Sequence, residues 1–333
     1  MKQRFSFSFQ WEQMLFVLIL LAAAWSAQLS PYYLSFEQIL NSTRQFIILG
    51  VMAMGLMVIV ILGEIDISQA STLAVCTVVL SKFSAAGLPI WLALPVIILI
   101  GSALGSFNGI LITGLRLPAL AVTLGTMGAY RGLAFIIGSE VGYTGFDDTY
   151  MWLGSSYIAA TAVPTSLILF LLVAFAFYIL VHRSVYGRMC FVIGNNADVA
   201  RYSGIRVPLI KIAAFALAGA MAAVGAWIFV GQYGSARGDN ANGMVLPLVT
   251  AVVLGGVDIN GGRGKVLGVV LALLLVGTLG NGMGLANMPG PTQTIVLGML
   301  LIVSVLLPNL VRQRSSFRIW SSFRTRGGRV PVK

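Results

Sequence analysis

Gly187-Arg188-Met189-Cys190-Phe191-Val192-Ile193-Gly194-Asn195-Asn196-Ala197-Asp198-Val199-Ala200-Arg201-Tyr202-Ser203-Gly204-Ile205-Arg206-Val207 separates two long apolar runs, 163–182 and 208–231. Each run has the length of a helix that crosses a bilayer, which takes roughly 20 apolar residues. Between them, Asn195 or Asn196 is placed to cap a helix that runs to about Tyr202. Gly204 is placed to end it in a left-handed turn. The expectation is a short two-turn helix with Val199 and Tyr202 among polar residues. Such a helix either docks in a groove of a soluble partner or is a solvated turn.

Composition extends this reading to the whole chain. Of 333 residues, 58% are hydrophobic and only 9% are charged. A soluble surface needs about a quarter of its residues charged, so lipid is the main solvent. The 38 glycines fit close helix packing in a membrane. Apolar runs at 12–29, 45–62, 70–85, 90–114, 117–138, 163–182, 208–231, 243–256, 264–284 and 292–311 give ten expected spans. The third and eighth are short, as in broken or re-entrant helices buried in protein. The first run resembles a secretion signal. Large residues and many further spans follow it, so a retained helix is expected.

The net charge of +11 would suggest nucleic acid on a soluble protein. Here the basic residues lie between spans and at the ends, as the positive-inside rule requires. Lys2, Arg4, Arg116, Arg183, Arg188, Arg201, Arg206, Lys211, Arg263, Lys265 and the basic residues of 312–333 then face the cytoplasm, and both termini lie inside. Residues 139–162 carry Glu140, Asp147 and Asp148 without Lys or Arg and suit the outer face. Arg44, Lys82 and Arg237 are exceptions near outer ends. The basic tail 312–333 is expected to lie against anionic headgroups. Residues 1–333 form one membrane-spanning domain of all-α class.

Enzymatic constellations are missing. A phosphate-binding loop needs Gly-x-x-x-x-Gly-Lys-Ser/Thr. The nearest string, Gly261-Gly262-Arg263-Gly264-Lys265-Val266, lacks the first glycine and the hydroxyl. No metal cluster and no cofactor are expected. Cys76 and Cys190 stand too far apart in the topology to pair. His182 reads as a helix-end residue.

Residues 60–67 read Val-Ile-Leu-Gly-Glu-Ile-Asp-Ile and 252–259 read Val-Val-Leu-Gly-Gly-Val-Asp-Ile, with five of eight positions shared. The two strings suggest one structural role used twice. Glu64 and Asp66 stand where the second span ends, as gate or pathway candidates; Asp66 also suits a cap for the third span. Arg131 lies inside the fifth span, where a charge needs a partner or water. Asn108, Thr123, Thr126, Asn281 and Gln293 either line a path or bond neighbouring helices.

Four strings together are similar to one family. Gly187-Arg188, Gly194, Asn196, Ala200, Gly204-Ile205 and Val207 carry the spacing of the ribose-type, branched-chain superfamily of ABC importer permeases. Gly63-Glu64-Ile65-Asp66-Ile67-Ser68 resembles that family's Gly-Ile-Asp-Leu-Ser element. Thr123-Leu124-Gly125-Thr126 with Arg131-Gly132-Leu133 resembles its Thr-Leu-Gly…Arg-Gly element. Ala251 to Gly264, followed by Gly280-Asn281-Gly282, resembles its C-terminal signature. Tyr233 to Asp239 is most similar to permeases for autoinducer-2 and rhamnose-like deoxy sugars. The chain departs from the pattern at Glu64 and at Gln69-Ala70-Ser71, where Val-Gly-Ser is usual.

The resemblance implies a ten-helix permease of the second importer type, in a bacterial inner membrane. It pairs with a second permease subunit, a cytoplasmic ATPase and a periplasmic solute-binding protein. Within residues 187–207 it implies a coupling helix, with Gly187, Arg188, Gly194, Asn195, Asn196, Ala197, Val199, Ala200, Tyr202 and Gly204 as coupling residues. The competing expectation is an ion-coupled transporter acting alone, with Glu64, Asp66 and Arg131 as its ionisable sites.

Overall fold

The computed structural model of the chain describes residues 11–29, 33–138, 141–158, 161–304 and 306. Among these, structure is helical apart from isolated bridges at Tyr143–Ala236 and Tyr157–Pro164. The helices run α1 Trp11–Leu29, α2 Phe36–Ile61, α3 Gln69–Ala85, α4 Ile90–Gly114, α5 Ala119–Gly138 and α6 Asp148–Ser155. They continue with α7 Thr165–His182, α8 Val185–Asn195, α9 Ala197–Tyr202, α10 Val207–Tyr233, α11 Val245–Leu254 and α12 Val266–Leu285. A further apolar helix, α13, covers Gly290–Ser304.

Of the ten expected spans, six are matched by helices long and apolar enough to cross a membrane: α1, α4, α5, α7, α10 and α12. A seventh is α2, bent by 46° between Gln38–Arg44 and Phe46–Ile61. The remaining apolar runs form shorter helices. α3 has 17 residues and buries most of them, including Gln69, Ser71, Thr72 and Thr77. Protein, not lipid, is its solvent, which is how a short polar helix survives at this depth. α11 has only 10 residues.

α10 is the hub. It packs on α4, α2, α6 and α3, and α4–α10 is the most extensive helix pair. Gly101, Gly105 and Gly109 recur every fourth residue along one face of α4 and lie against α10. A Cβ on Gly105 would overlap the Phe215 carbonyl oxygen, and one on Gly219 the Gly101 carbonyl oxygen. The two backbones touch, which replaces the missing hydrophobic drive between helices in lipid with dispersion contacts. This regular spacing is present in the sequence and had no place among the expectations above.

Contacts sort the loops to two ends of the bundle. One end holds the start of α1, the α4–α5 turn, α8–α9 and the α11–α12 turn. Trp11 Nε1 donates to the Leu254 carbonyl at 2.8 Å, and Glu12 pairs with Lys265 at 2.6 Å. Val266 N donates to His182 Nε2 at 3.2 Å, tying α7 to α12. The opposite end holds α6. Tyr150 donates to the Leu88 carbonyl at 2.6 Å and Arg44 to the Gly154 carbonyl at 2.6 Å. Asp147 caps α6. The Thr149 hydroxyl, together with the Thr149 and Tyr150 N–H groups, holds its carboxyl below the usual range. Cys76 and Cys190 are both free and buried.

Candidate coupling and pathway site

The segment after α7 holds more helix than the single two-turn element expected. Ser184 caps α8 by accepting from Gly187 N at 3.1 Å. α8 then folds back on α7, with the Gly187 backbone on the Val181 and Leu180 carbonyl oxygens, where a Cβ would overlap. Cys190 and Ile193 bury the same face. Gly187 and Gly194, which read as loop residues, are close-contact points on a helix.

Asn196, extended at φ −163°, ends α8 and starts α9. Its Oδ1 accepts from Asp198 N at 2.9 Å and Val199 N at 3.0 Å, which supplies the N-terminal acceptors a short helix needs. Gly204 closes α9 at φ +81°. Gly204 N donates to the Arg201 carbonyl and Ile205 N to the Ala200 carbonyl, both at 3.0 Å. That pair of bonds is the glycine-terminated helix end. Ala200 is buried, Ala197 is half-buried, and Val199 and Tyr202 point away from the bundle, with Tyr202 94% exposed. Arg188 is exposed on α8.

The end of α8 is interlocked with the bundle. Gly194 lies against the Ile61 carbonyl oxygen and Gly262 N, so closely that a Cβ would overlap both. Gly262 N donates to the Ile61 carbonyl at 2.8 Å. Asn195 Nδ2 donates to the Phe191 carbonyl at 2.8 Å and reaches the Gly262 carbonyl at 3.4 Å.

The pathway candidates do not form one site. Asp66 and Asn108 come together with Ser68 and Tyr130, in the break between α2 and α3. Tyr130 donates to Asn108 Oδ1 at 3.3 Å, Asn108 Nδ2 to Ser68 Oγ at 2.9 Å, and Ser68 Oγ to Asp66 Oδ1 at 2.6 Å. The Tyr130 hydroxyl also reaches the Leu104 carbonyl, at the shorter distance of 2.9 Å, so the donors that lead to the carboxylate are those of Asn108 and Ser68. Asp66 also accepts from Ser68 N at 2.9 Å. Asp66 therefore holds the residue that starts α3, rather than capping the free N–H groups within the helix. Thr123 donates to the Ile65 carbonyl at 3.3 Å beside this group.

The other candidates lie elsewhere. Glu64 forms an ion pair with Lys211 in the first turns of α10. Lys211 reads in the sequence only as one more basic loop residue, because its partner lies 147 residues away. Arg131 donates to the Gly238 and Asn240 carbonyls, each at 2.7 Å, and so braces the α10–α11 connection. Thr126 bonds within its own helix. Asn281 accepts from Gln38 Nε2 at 3.2 Å, and Gln293 donates to the Met288 carbonyl at 3.0 Å. Gln69 and Ser71, in the first turn of α3, have buried polar atoms with no hydrogen-bond partner among the described residues. A cleft of about 280 Å³ beside α9 is lined by Glu64, Arg116, Arg201 and Lys211. Among the described residues no group of three or more His, Cys, Asp or Glu could hold a metal.

Among the described residues, six helices long and apolar enough to cross a membrane, with the short α9 exposed at one end, give the outline of a multi-pass membrane protein. Residues 38–305 match the family described as branched-chain amino acid transport system / permease component, and the chain belongs to that family. It is a transport subunit and not an enzyme. The autoinducer 2 import system permease protein LsrD of Enterobacter sp. (strain 638) is 34% identical over 95% of this chain and 98% of its own length. LsrD of Klebsiella pneumoniae is 35% identical over 92% and 94%, and LsrD of Escherichia coli O9:H4 33% over 93% and 95%. A solved metal-chelate type ABC transporter in an inward-facing conformation matches with a TM-score of 0.45 at 13% identity over 92% of this chain and 98% of its own, too distant to place any residue.

Asp66→Ala is expected to destabilise the permease by about 1–3 kcal/mol, because the Ser68 N–H and hydroxyl lose their acceptor in a buried site. The readout is a lower thermal midpoint in detergent. Asp66→Asn keeps an acceptor oxygen and is expected to lose less.

Proposed function

We propose that the chain is one permease subunit of an ATP-driven importer that carries autoinducer-2 or a similar small sugar-like solute, such as a pentose or deoxyhexose, across a bacterial inner membrane. The observation that carries this reading is the likeness to autoinducer 2 import permeases over more than nine-tenths of the chain. Residues 1–333 form a single domain with ten spans and both termini in the cytoplasm. The basic tail 312–333 lies outside the described residues. Two permease copies or two different permeases enclose the path. A periplasmic binding protein delivers solute, and a separate ATPase docks on α9. The exposed Val199 and Tyr202 supply the apolar contact such a docking helix needs.

The permease contributes mechanics. It offers a path of low affinity and two packings of nearly equal energy. The unpartnered Gln69 amide and Ser71 hydroxyl are groups that a hydroxylated solute engages once the path opens. Standing alone as an ion-coupled carrier, the chain would need free ionisable groups at membrane depth. Glu64, Asp66 and Arg131 are instead engaged with Lys211, Ser68 and backbone carbonyls.

The test is uptake in proteoliposomes that hold the complete complex. Labelled autoinducer-2 should enter only with ATP inside and binding protein outside, and uptake should stop when the ATPase's phosphate-loop lysine is replaced. Uptake by this chain without an ATPase would overturn the reading.

A further inference from the structure

The two similar strings noticed in the sequence meet in space. Each closes a helix with the same pair of features. At the end of α2, Glu64 N returns to the Ile59 carbonyl at 3.1 Å, and Asp66 Oδ1 then accepts from Ser68 N two residues on. At the end of α11, Val257 N returns to the Val252 carbonyl at 3.4 Å, and Asp258 Oδ1 accepts from Asn260 N at 3.1 Å. Both turns pass through a glycine at positive φ, Gly63 at 77° and Gly256 at 82°, one position apart in the alignment of the two strings. The turns lie against one another: a Cβ on Gly261 would sit 2.8 Å from Gly63 N and 2.9 Å from the Gly194 carbonyl oxygen. Gly194, at the end of α8, fills the third side through Ile61 and Gly262.

At Gly194 and Gly261 this contact is backbone on backbone, with the Asn195 side chain packed on Gly262 beside it. Side chains can change rotamer to absorb a displacement, whereas a peptide group pressed on another peptide group passes it on. α8 also reaches the core through the Cys190 and Ile193 face, and at Gly194 it touches both α2 and the α11–α12 turn.

From this geometry, and resting on the reading that α9 receives the motion of an ATPase, we infer that Gly194, Gly262 and the Ile61 carbonyl form a positioning junction that delivers movement of α8–α9 to the ends of α2 and α11 as one unit. α2 leads directly to the Asp66–Asn108–Tyr130 group, and α11 to α12. A single input thus moves both repeat turns together, and the α4–α5 turn beside them does not take part.

Two measurements on the assembled complex test it. Gly194→Ala and Gly261→Ala, where an added Cβ meets backbone, should still co-purify with the ATPase and support ATP turnover. The ATP spent per solute imported should rise about tenfold, as expected for a displaced peptide contact in a buried site. Val192→Ala, an exposed side chain on α8 two residues before the junction, leaves the backbone contact in place and should stay within about twofold. If the glycine variants fail to assemble, spin labels on Val185→Cys and Ile259→Cys provide the second reading, with Val185→Cys and Leu115→Cys for comparison. Both native thiols are buried and should not take label. The 185–259 distance should stay constant across nucleotide states while 185–115 changes. Normal coupling in both glycine variants, or a 185–259 distance that changes as much as 185–115, overturns the junction. Gly204→Pro, which acts on α9 alone, separates the two ideas. If it uncouples and the glycine variants do not, docking on α9 stands and the junction falls. If neither uncouples, docking on α9 falls as well.

Discussion

Gly105→Leu should leave almost no folded permease in the membrane. Gly105 lies where α4 and α10 cross, with the Phe215 carbonyl oxygen in the space a Cβ would take. The obstacle is backbone, so no rotamer relieves it, and the helices must separate. Overpacking a well-filled core already costs about 1–3 kcal/mol where side chains can yield. Here the separation also breaks the neighbouring contacts of Gly101 and Gly219. No hydrophobic drive in lipid restores the pair, since acyl chains solvate the parted faces equally well. The expected result is loss of the full-length band from membrane fractions and aggregation on extraction. Gly114→Leu, on the same helix where nothing lies within 4 Å, should accumulate normally. Equal levels of the two variants would show that the crossing is not what holds the bundle.

A second substitution should leave the fold intact and stop transport. Proline at 204 cannot adopt φ +81° and has no N–H to donate to the Arg201 carbonyl. It also disfavours the helical backbone of Ser203 before it. A substitution incompatible with the native backbone costs at least about 1 kcal/mol. A six-residue helix has no cooperative reserve to absorb that. α9 should lose its last turn, and with it the placement of Tyr202. In proteoliposomes with the full complex, Gly204→Pro should keep ATP hydrolysis and bring solute uptake to background. Uptake at the unaltered rate would remove α9 from the coupling path.

Much of the fold was legible because lipid imposes length and apolarity on each crossing helix. The boundaries of α4, 90–114, follow from the sequence without adjustment, and Asn196 and Gly204 mark α9 by their turn chemistry. α8 was not legible, since Gly187 and Gly194 within a basic stretch read as loop residues. Their reason is steric, a peptide group on the far side of each, and nothing local reports it. The gate candidates show the same limit. Residue type marks Glu64, Asp66 and Arg131 as costly in a membrane. Only the tertiary arrangement reveals that Lys211, Ser68 and the carbonyls of residues 238 and 240 already satisfy them.

The central place of α10 bears on how the chain is made. α2, α3, α4 and α6 all pack on α10, yet every one of them precedes it in the sequence. During synthesis, the glycine face of α4 has no counterpart until residue 233 has left the ribosome. Until then the earlier helices have only one another, through pairs such as α3–α5 and α2–α7. Biogenesis of this permease is therefore a race between the arrival of one late segment and the quality-control proteases that remove unfinished membrane proteins.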